Sequence, residues 1–246
     1  MSIMPIMSMR TRLSAAAVGA LIAVGAVALP AQAATTSDNA AGLAKAKAAV
    51  TDGITDRLTD LGKMQTALAG YKDVSDAARG TLTQLLSSDV SGLTALKAKV
   101  AGETTEAAVR ADGKAMVDDY RVYILVAPKV HLTHALDVET AAAARLAKVH
   151  DELAARLAKD PAADTQANKD LLADMATATQ NSVTAIAGQD ATLLGLQPGP
   201  DGKGLTASVK GVSGAAKDAR DDLKKAITDA KTVRDALKGA KSTSNG

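Results

Sequence analysis

The stretch LTASVKGVSGAAKDARDDLKKAITDAKTVRDALK, residues 205–238, carries the clearest repeat in the chain. One seam position holds Val209, Ala216, Leu223, Ala230 and Leu237, and the other holds Leu205, Val212, Ala219, Ala226 and Val233. Apolar residues returning at alternating steps of four and three form one stripe of a helix, which needs partner helices to cover it. Alternating Ala with Leu or Val lets such helices approach closely, so contact area replaces aromatic bulk. The stretch therefore predicts an all-α fold, an antiparallel bundle with coiled-coil-like seams.

Working outward, the loop Gln197-Pro198-Gly199-Pro200-Asp201-Gly202 is the one strong break that precedes this helix. Upstream, a fourth helix is expected from about Asp164 to Leu196, with Leu172, Met175, Thr179, Val183, Ile186 and Leu193 on its seam. A first helix is expected from Ser37 to Gly70, along Leu43, Val50, Ile54, Leu58, Leu61, Met64 and Leu68. A second runs from about Ser75 to Ala101 through Leu82, Leu85, Leu86, Val90, Leu93, Leu96 and Val100, with Gly92 weakening its middle. No strand-like alternation is sustained anywhere.

The third helix decides the arrangement. Thr104 or Thr105 caps it, and Asp160-Pro161 ends it beyond Lys159. Inside lies the apolar run Tyr120 to Ala127, followed by Pro128. A short strand is the rival reading there, since the run is rich in β-branched and aromatic residues. Read as one kinked helix it would be roughly 80 Å long at about 1.5 Å per residue. Two three-helix bundles in tandem, elongated and sharing this central helix with its kink near Pro128, satisfy that length. A fold-back at Pro128 into a single five- or six-helix bundle is the alternative. The expected divisions are a leader at 1–33, an N-terminal helical half at 34–127, a C-terminal helical half at 128–240 and a disordered tail at 241–246.

The leader reading rests on Arg10 and Arg12, then the uncharged run Leu13 to Leu29, then Ala31-Gln32-Ala33 before an expected cut at Ala34. An uncleaved membrane anchor would need about 20 apolar residues. The reading predicts a secreted protein, extracellular or attached to the cell wall, with no membrane span after cleavage. Losing Arg10 and Arg12 leaves 27 basic against 27 acidic residues, so the mature chain is formally neutral. With no Cys, the chain can form neither a disulfide nor a thiolate metal site, and aliphatic packing must hold it together.

Composition also narrows the chemistry. The chain has 54 Ala, three Tyr, three His and neither Phe nor Trp. No His-Glu-x-x-His, calcium loop or Gly-x-Ser-x-Gly elbow occurs. Gly199 to Thr206 resembles a phosphate loop only superficially, because its lysine is misplaced and no strand precedes it. Stacking platforms for sugars or single-stranded nucleic acid need exposed aromatics that are not supplied here. No enzyme activity, cofactor or metal is therefore expected.

Two candidate surfaces remain. Tyr120, Tyr123, His131 and His134 fall on roughly one face of an unbroken helix, flanked by Asp119 and Arg121. They can form a small-ligand or metal pocket, with Asp137 in rough reach, or serve as packing residues with polar tips. The second surface is a lysine ridge: Lys203, Lys210, Lys217, Lys224, Lys231 and Lys238 recur every seven residues, about 10 Å apart. Arg220 and Arg234 lie beside it, and Asp222 and Asp229 sit on the opposite flank. A polyanion such as teichoic acid or DNA can bind along it by counterion release. The alternative is a solvated flank paired with neighbouring acids.

The segment Asp119-Tyr120-Arg121-Val122-Tyr123-Ile124-Leu125-Val126-Ala127-Pro128-Lys129-Val130-His131-Leu132, with Ser91 to Lys97 before it, resembles a group of secreted, all-helical actinobacterial proteins. The resemblance implies export and helical fold class and carries over no catalytic residue. The leading expectation is a non-enzymatic binding or structural protein of the cell envelope. Its partner would be an envelope polyanion or another helical protein, with self-association through Ala seams left open.

Overall fold

The computed structural model describes residues 32–243, with side chains described over 39–240. Nearly all of the expected leader, residues 1–31, and the last three residues of the tail lie outside the described residues. The rest is helical, and no strand occurs among the described residues. Seven α-helices follow in order: α1 Gln32–Gly70, α2 Asp76–Gly102, α3 Glu106–Asp118, α4 Ala127–Leu157, α5 Gln166–Ile186, α6 Gln189–Gly195 and α7 Gly202–Thr243. Between α3 and α4 lies one π turn, Val122–Val126. Among the described residues, no helix is long and apolar enough to cross a membrane.

Helix starts follow local chemistry. The side chains of Ser75, Thr105 and Thr165 accept the backbone N–H groups of Ala78, Ala108 and Asn168 at 3.3, 3.2 and 3.3 Å. Each satisfies one of the donors a helix leaves unpaired at its first turn. At the far end of α1 the carbonyls of Leu68 and Tyr71 accept from the Arg79 guanidinium, which reaches back from α2.

The first core joins α1, α2, α3, the π turn and the start of α4. Ile54, Leu61, Leu82, Leu86, Leu93, Val100 and Val109 are fully buried in it. Lys47 Nζ donates to the Ala101 carbonyl at 2.7 Å and Lys97 Nζ to Thr55 at 2.9 Å, so α1 and α2 run antiparallel. The second core joins α4, α5 and α7 through Leu146, Leu153, Leu172, Met175, Leu223, Ala226 and Val233. A smaller cluster of Leu136, Ile186, Leu193, Val212, Ala216 and Ala219 continues it toward α6. Leu136 meets Val212 to Ala219, Glu139 meets Arg220, and Leu157 shares a core with Leu237, so α4 and α7 run in the same direction.

Three expectations change. The third helix is not one kinked rod: α3 stops at Asp118, and the chain turns at Arg121, whose φ of 46° is left-handed. Nor is Tyr120 to Ala127 a strand, for the run Val122–Val126 is the π turn itself. Pro128 is not the kink but the second residue of α4, where its missing N–H costs nothing. In an unbroken α-helix its ring would crowd the carbonyl of Ile124. The wider π coil carries the chain past that clash, with Ala127 N–H bonding Val122 O instead. The fourth helix also divides, at Ala187 and Gly188, because Gly188 takes φ 72°. Finally, α7 runs on to Thr243, inside the tail expected to be disordered.

Candidate functional site

The lysine ridge survives folding as a surface. On α7 the line Val212, Ala216, Ala219, Leu223, Ala226, Ala230, Val233 and Leu237 is buried. Lys203, Lys210, Lys217, Lys224, Lys231 and Lys238 are all exposed. The seam turns inward and the heptad lysines, out of phase with it, turn outward. Acids interrupt the ridge at two places. Asp221 accepts from Lys217 at 2.8 Å and Lys224 at 2.9 Å, and these two ammonium groups hold its carboxyl down at about 2. Asp235 lies 3.7 Å from both Lys238 Nζ and Arg234 Nε.

Among the described residues, Lys203, Lys210 and Lys231 have no acidic partner within 4.0 Å. Arg220 is spoken for, since it donates to the buried Glu139 at 2.8 Å. Burial pushes the Glu139 carboxyl up and Arg220 opposes that. Of the two acids expected on the flank opposite the lysines, Asp229 is buried and held by Lys225 at 2.9 Å, and Asp222 is half-buried.

The tyrosine and histidine set does not form one pocket. Tyr120 packs with its hydroxyl against Gly92 of α2. Tyr123 is half exposed, with the Arg57 guanidinium 5.1 Å over its ring. His131 and His134 gather around Tyr71 instead. The Tyr71 hydroxyl and His131 Nδ1 share a hydrogen bond at 2.9 Å, and the His134 ring stacks on Tyr71 at 3.7 Å. Burial, with His134 nearby, lowers the His131 pKa. The grouping assumed an unbroken α-helix; the left-handed Arg121 and the π turn change the phase between the tyrosines and the histidines. Asp137 accepts Ser75 N–H at 3.3 Å and stays within electrostatic reach of His134. Among the described residues, no three His, Asp or Glu side chains are placed to hold a metal ion.

Where α3, α4 and α6 meet, the chain builds a polar joint that sequence reasoning missed. Arg121 donates through Nε to Gly199 O at 2.7 Å and through Nη2 to Pro200 O at 2.9 Å, and it pairs with Asp118 at 2.7 Å. Lys129, which is buried, donates to Leu194 O at 2.9 Å and Leu196 O at 2.5 Å. Together they tie the Pro-Gly loop to the central segment. Beside them lies a cleft of about 130 Å³ lined by Asp89, Tyr120, Lys129 and Leu194. Asp89 is 8% exposed and its Oδ2 has no hydrogen-bond partner among the described residues; burial pushes its carboxyl up to about 6, against the pull of Lys129.

A sequence signal for this joint exists. Asp89 falls between Leu86 and Leu93 on the buried stripe of α2, and Lys129 of α4 falls between Leu125 of the π turn and Thr133 of α4, both buried. A charged residue at a seam position marks a place where the core must supply a polar answer. Tyr71 gave no such signal, because it stands in a corner outside any helical repeat. The chain matches no known protein-family model, no curated protein and no solved structure.

Proposed function

We propose that this is an exported, non-enzymatic binding protein of the cell envelope that holds a polyanion along the outer face of α7. One observation carries the reading: six lysines at heptad spacing are all exposed on a single helix whose opposite line is buried. A polyanion laid on that face releases counterions for each charge neutralised, so affinity comes from the row of charges rather than from a shaped pocket. The split of Tyr120 and Tyr123 from His131 and His134 removes support for a ligand pocket on the central segment. Export is proposed from the basic, apolar and Ala-x-Ala pattern of residues 10–33.

The test is retention of the full chain on a phosphate-bearing or sulfated matrix at several salt concentrations. A variant with Gln at Lys203, Lys210, Lys217, Lys224, Lys231 and Lys238 should elute early. The log–log salt slope should shrink by about 0.7–0.9 for each phosphate contact removed. Equal retention of the variant and the parent would dispose of the reading.

A further inference from the structure

Because α4 and α7 run in the same direction, their later turns arrive at one end of the second core. There a cleft of about 400 Å³ opens, lined by Arg156 from the last turn of α4, by Lys159 and Asp160 just beyond it, and by Arg234, Leu237 and Lys238 from α7. Leu237 is buried at 6% exposure and forms its floor, while the four basic side chains around it are exposed. Among the described residues Asp160 is the one acid in the lining, and its Oδ1 already accepts the backbone N–H of Ala163 at 3.3 Å. Asp235 is 52% exposed and touches Arg234 and Lys238 only at 3.7 Å, a loose pairing that an anion can displace.

Cations near the carbonyl end of α4 have an ordinary role, for Arg156 and Lys159 complement the negative end of the helix dipole. Arg234 and Lys238 come from a different helix, however, and line the same opening. The result is a concave site with two guanidinium forks and two ammonium groups over an apolar floor, the donor set that suits phosphate oxygens. Among the described residues no aromatic ring lines it, so a base finds nothing there to stack on. Lys238 belongs to both the cleft and the ridge, and Lys231 stands about 10 Å along α7 from it.

We infer that this cleft is an anion subsite that seats a phosphate group of a base-free phosphate polymer, the chain of which then runs along the α7 lysines. The inference rests on the polyanion reading above and goes further by naming the polymer class and the anchoring residues. Tripolyphosphate is short enough to engage the cleft alone, whereas long-chain polyphosphate also spans the ridge.

Isothermal titration of the full chain at low salt with both probes separates the two. The Arg156→Gln/Arg234→Gln variant should lose tripolyphosphate affinity by about ten-fold or more, since two charge-assisted forks are removed. The Lys210→Gln/Lys217→Gln/Lys224→Gln variant should keep its tripolyphosphate affinity and weaken only toward the long polymer. All five substituted side chains are exposed, and circular dichroism checks that each protein is folded. Unchanged tripolyphosphate binding in the Arg156→Gln/Arg234→Gln protein overturns the subsite, as does absence of tripolyphosphate binding in the parent. Tripolyphosphate binding without any gain from the longer polymer would instead overturn the ridge and leave the cleft standing.

Discussion

The core around α1 and α2 is made of large aliphatic side chains, whereas the line that α7 presents to α4 and α5 alternates Ala with Val and Leu. Ile54, Leu61, Leu82, Leu86 and Leu93 are fully buried in the first. Ala216, Ala219, Ala226 and Ala230 are equally withdrawn from water in the second. Neither region uses Phe or Trp, which the chain lacks. One region fills its interior with side-chain volume and the other removes the need for volume by bringing backbones together. Among the described residues, Asp89 in the first region and Glu139 in the second each keep one carboxylate oxygen without a hydrogen-bond partner. Glu139 is met by Arg220 at its other oxygen, whereas Asp89 has no ion-pair partner within 4.0 Å among the described residues.

The sharpest way to break this comparison is to invert the side-chain sizes. Leu93→Ala should cost about 2–5 kcal/mol, because the surrounding helices close only partly on the cavity. Ala219→Leu should cost about 1–3 kcal/mol by overpacking a line that has no room. Urea unfolding followed by circular dichroism gives both values. A neutral Ala219→Leu would show that the Ala line is loosely packed and would remove the contrast.

The unanswered carboxyl provides the second test. Burial raises the Asp89 pKa from 3.8 to about 6 in the folded chain, so its contribution to stability is fully present below pH 4. That contribution is lost as pH rises through the folded value, a fall of up to about 3 kcal/mol at 1.36 kcal/mol per unit. Asp89→Asn should flatten this part of the profile and leave the variant relatively more stable at pH 7. Parallel stability curves for parent and variant between pH 4 and 7 would show that Asp89 finds a partner for its charge.

The smallest effects sharpen the picture at two glycines inside helices. A Cβ at Gly92 would fall against the Tyr120 hydroxyl and 2.8 Å from its Cε1, whereas one at Gly214 meets nothing within 4 Å. Gly214→Ala should therefore stabilise α7 by about 0.5–1 kcal/mol through helix propensity alone. Gly92→Ala gains the same propensity but must displace Tyr120, giving a net loss on the order of 1 kcal/mol. Thermal melts of the two variants should move in opposite directions. A rise in both melting temperatures would mean that Tyr120 is free to leave its place on α2.

Helix content and the main helix ends were legible because they depend on local chemistry. The stop at Gly70, the start at Ser75, the cap at Thr104 or Thr105, and the α7 seam are all read within a few residues of themselves. The break at Arg121 was not legible. Its neighbours are apolar or helix-compatible, and the residues that reward its left-handed turn, Gly199 and Pro200, lie 78 and 79 positions away. Gly188 shows the same limit on a smaller scale, since a glycine inside a helical repeat can be tolerated or can end the helix.

From the order of residues alone follow the all-helical class, the stripe that each helix buries and the heptad line of lysines, because period and side-chain polarity are properties of one helix. Tertiary structure alone decided that α4 and α7 point the same way, that Tyr71 gathers the two histidines, and that four cations from separate helices open onto one cleft. Those facts arise from contacts between segments far apart in the chain, where the packing of one helix sets what another can present.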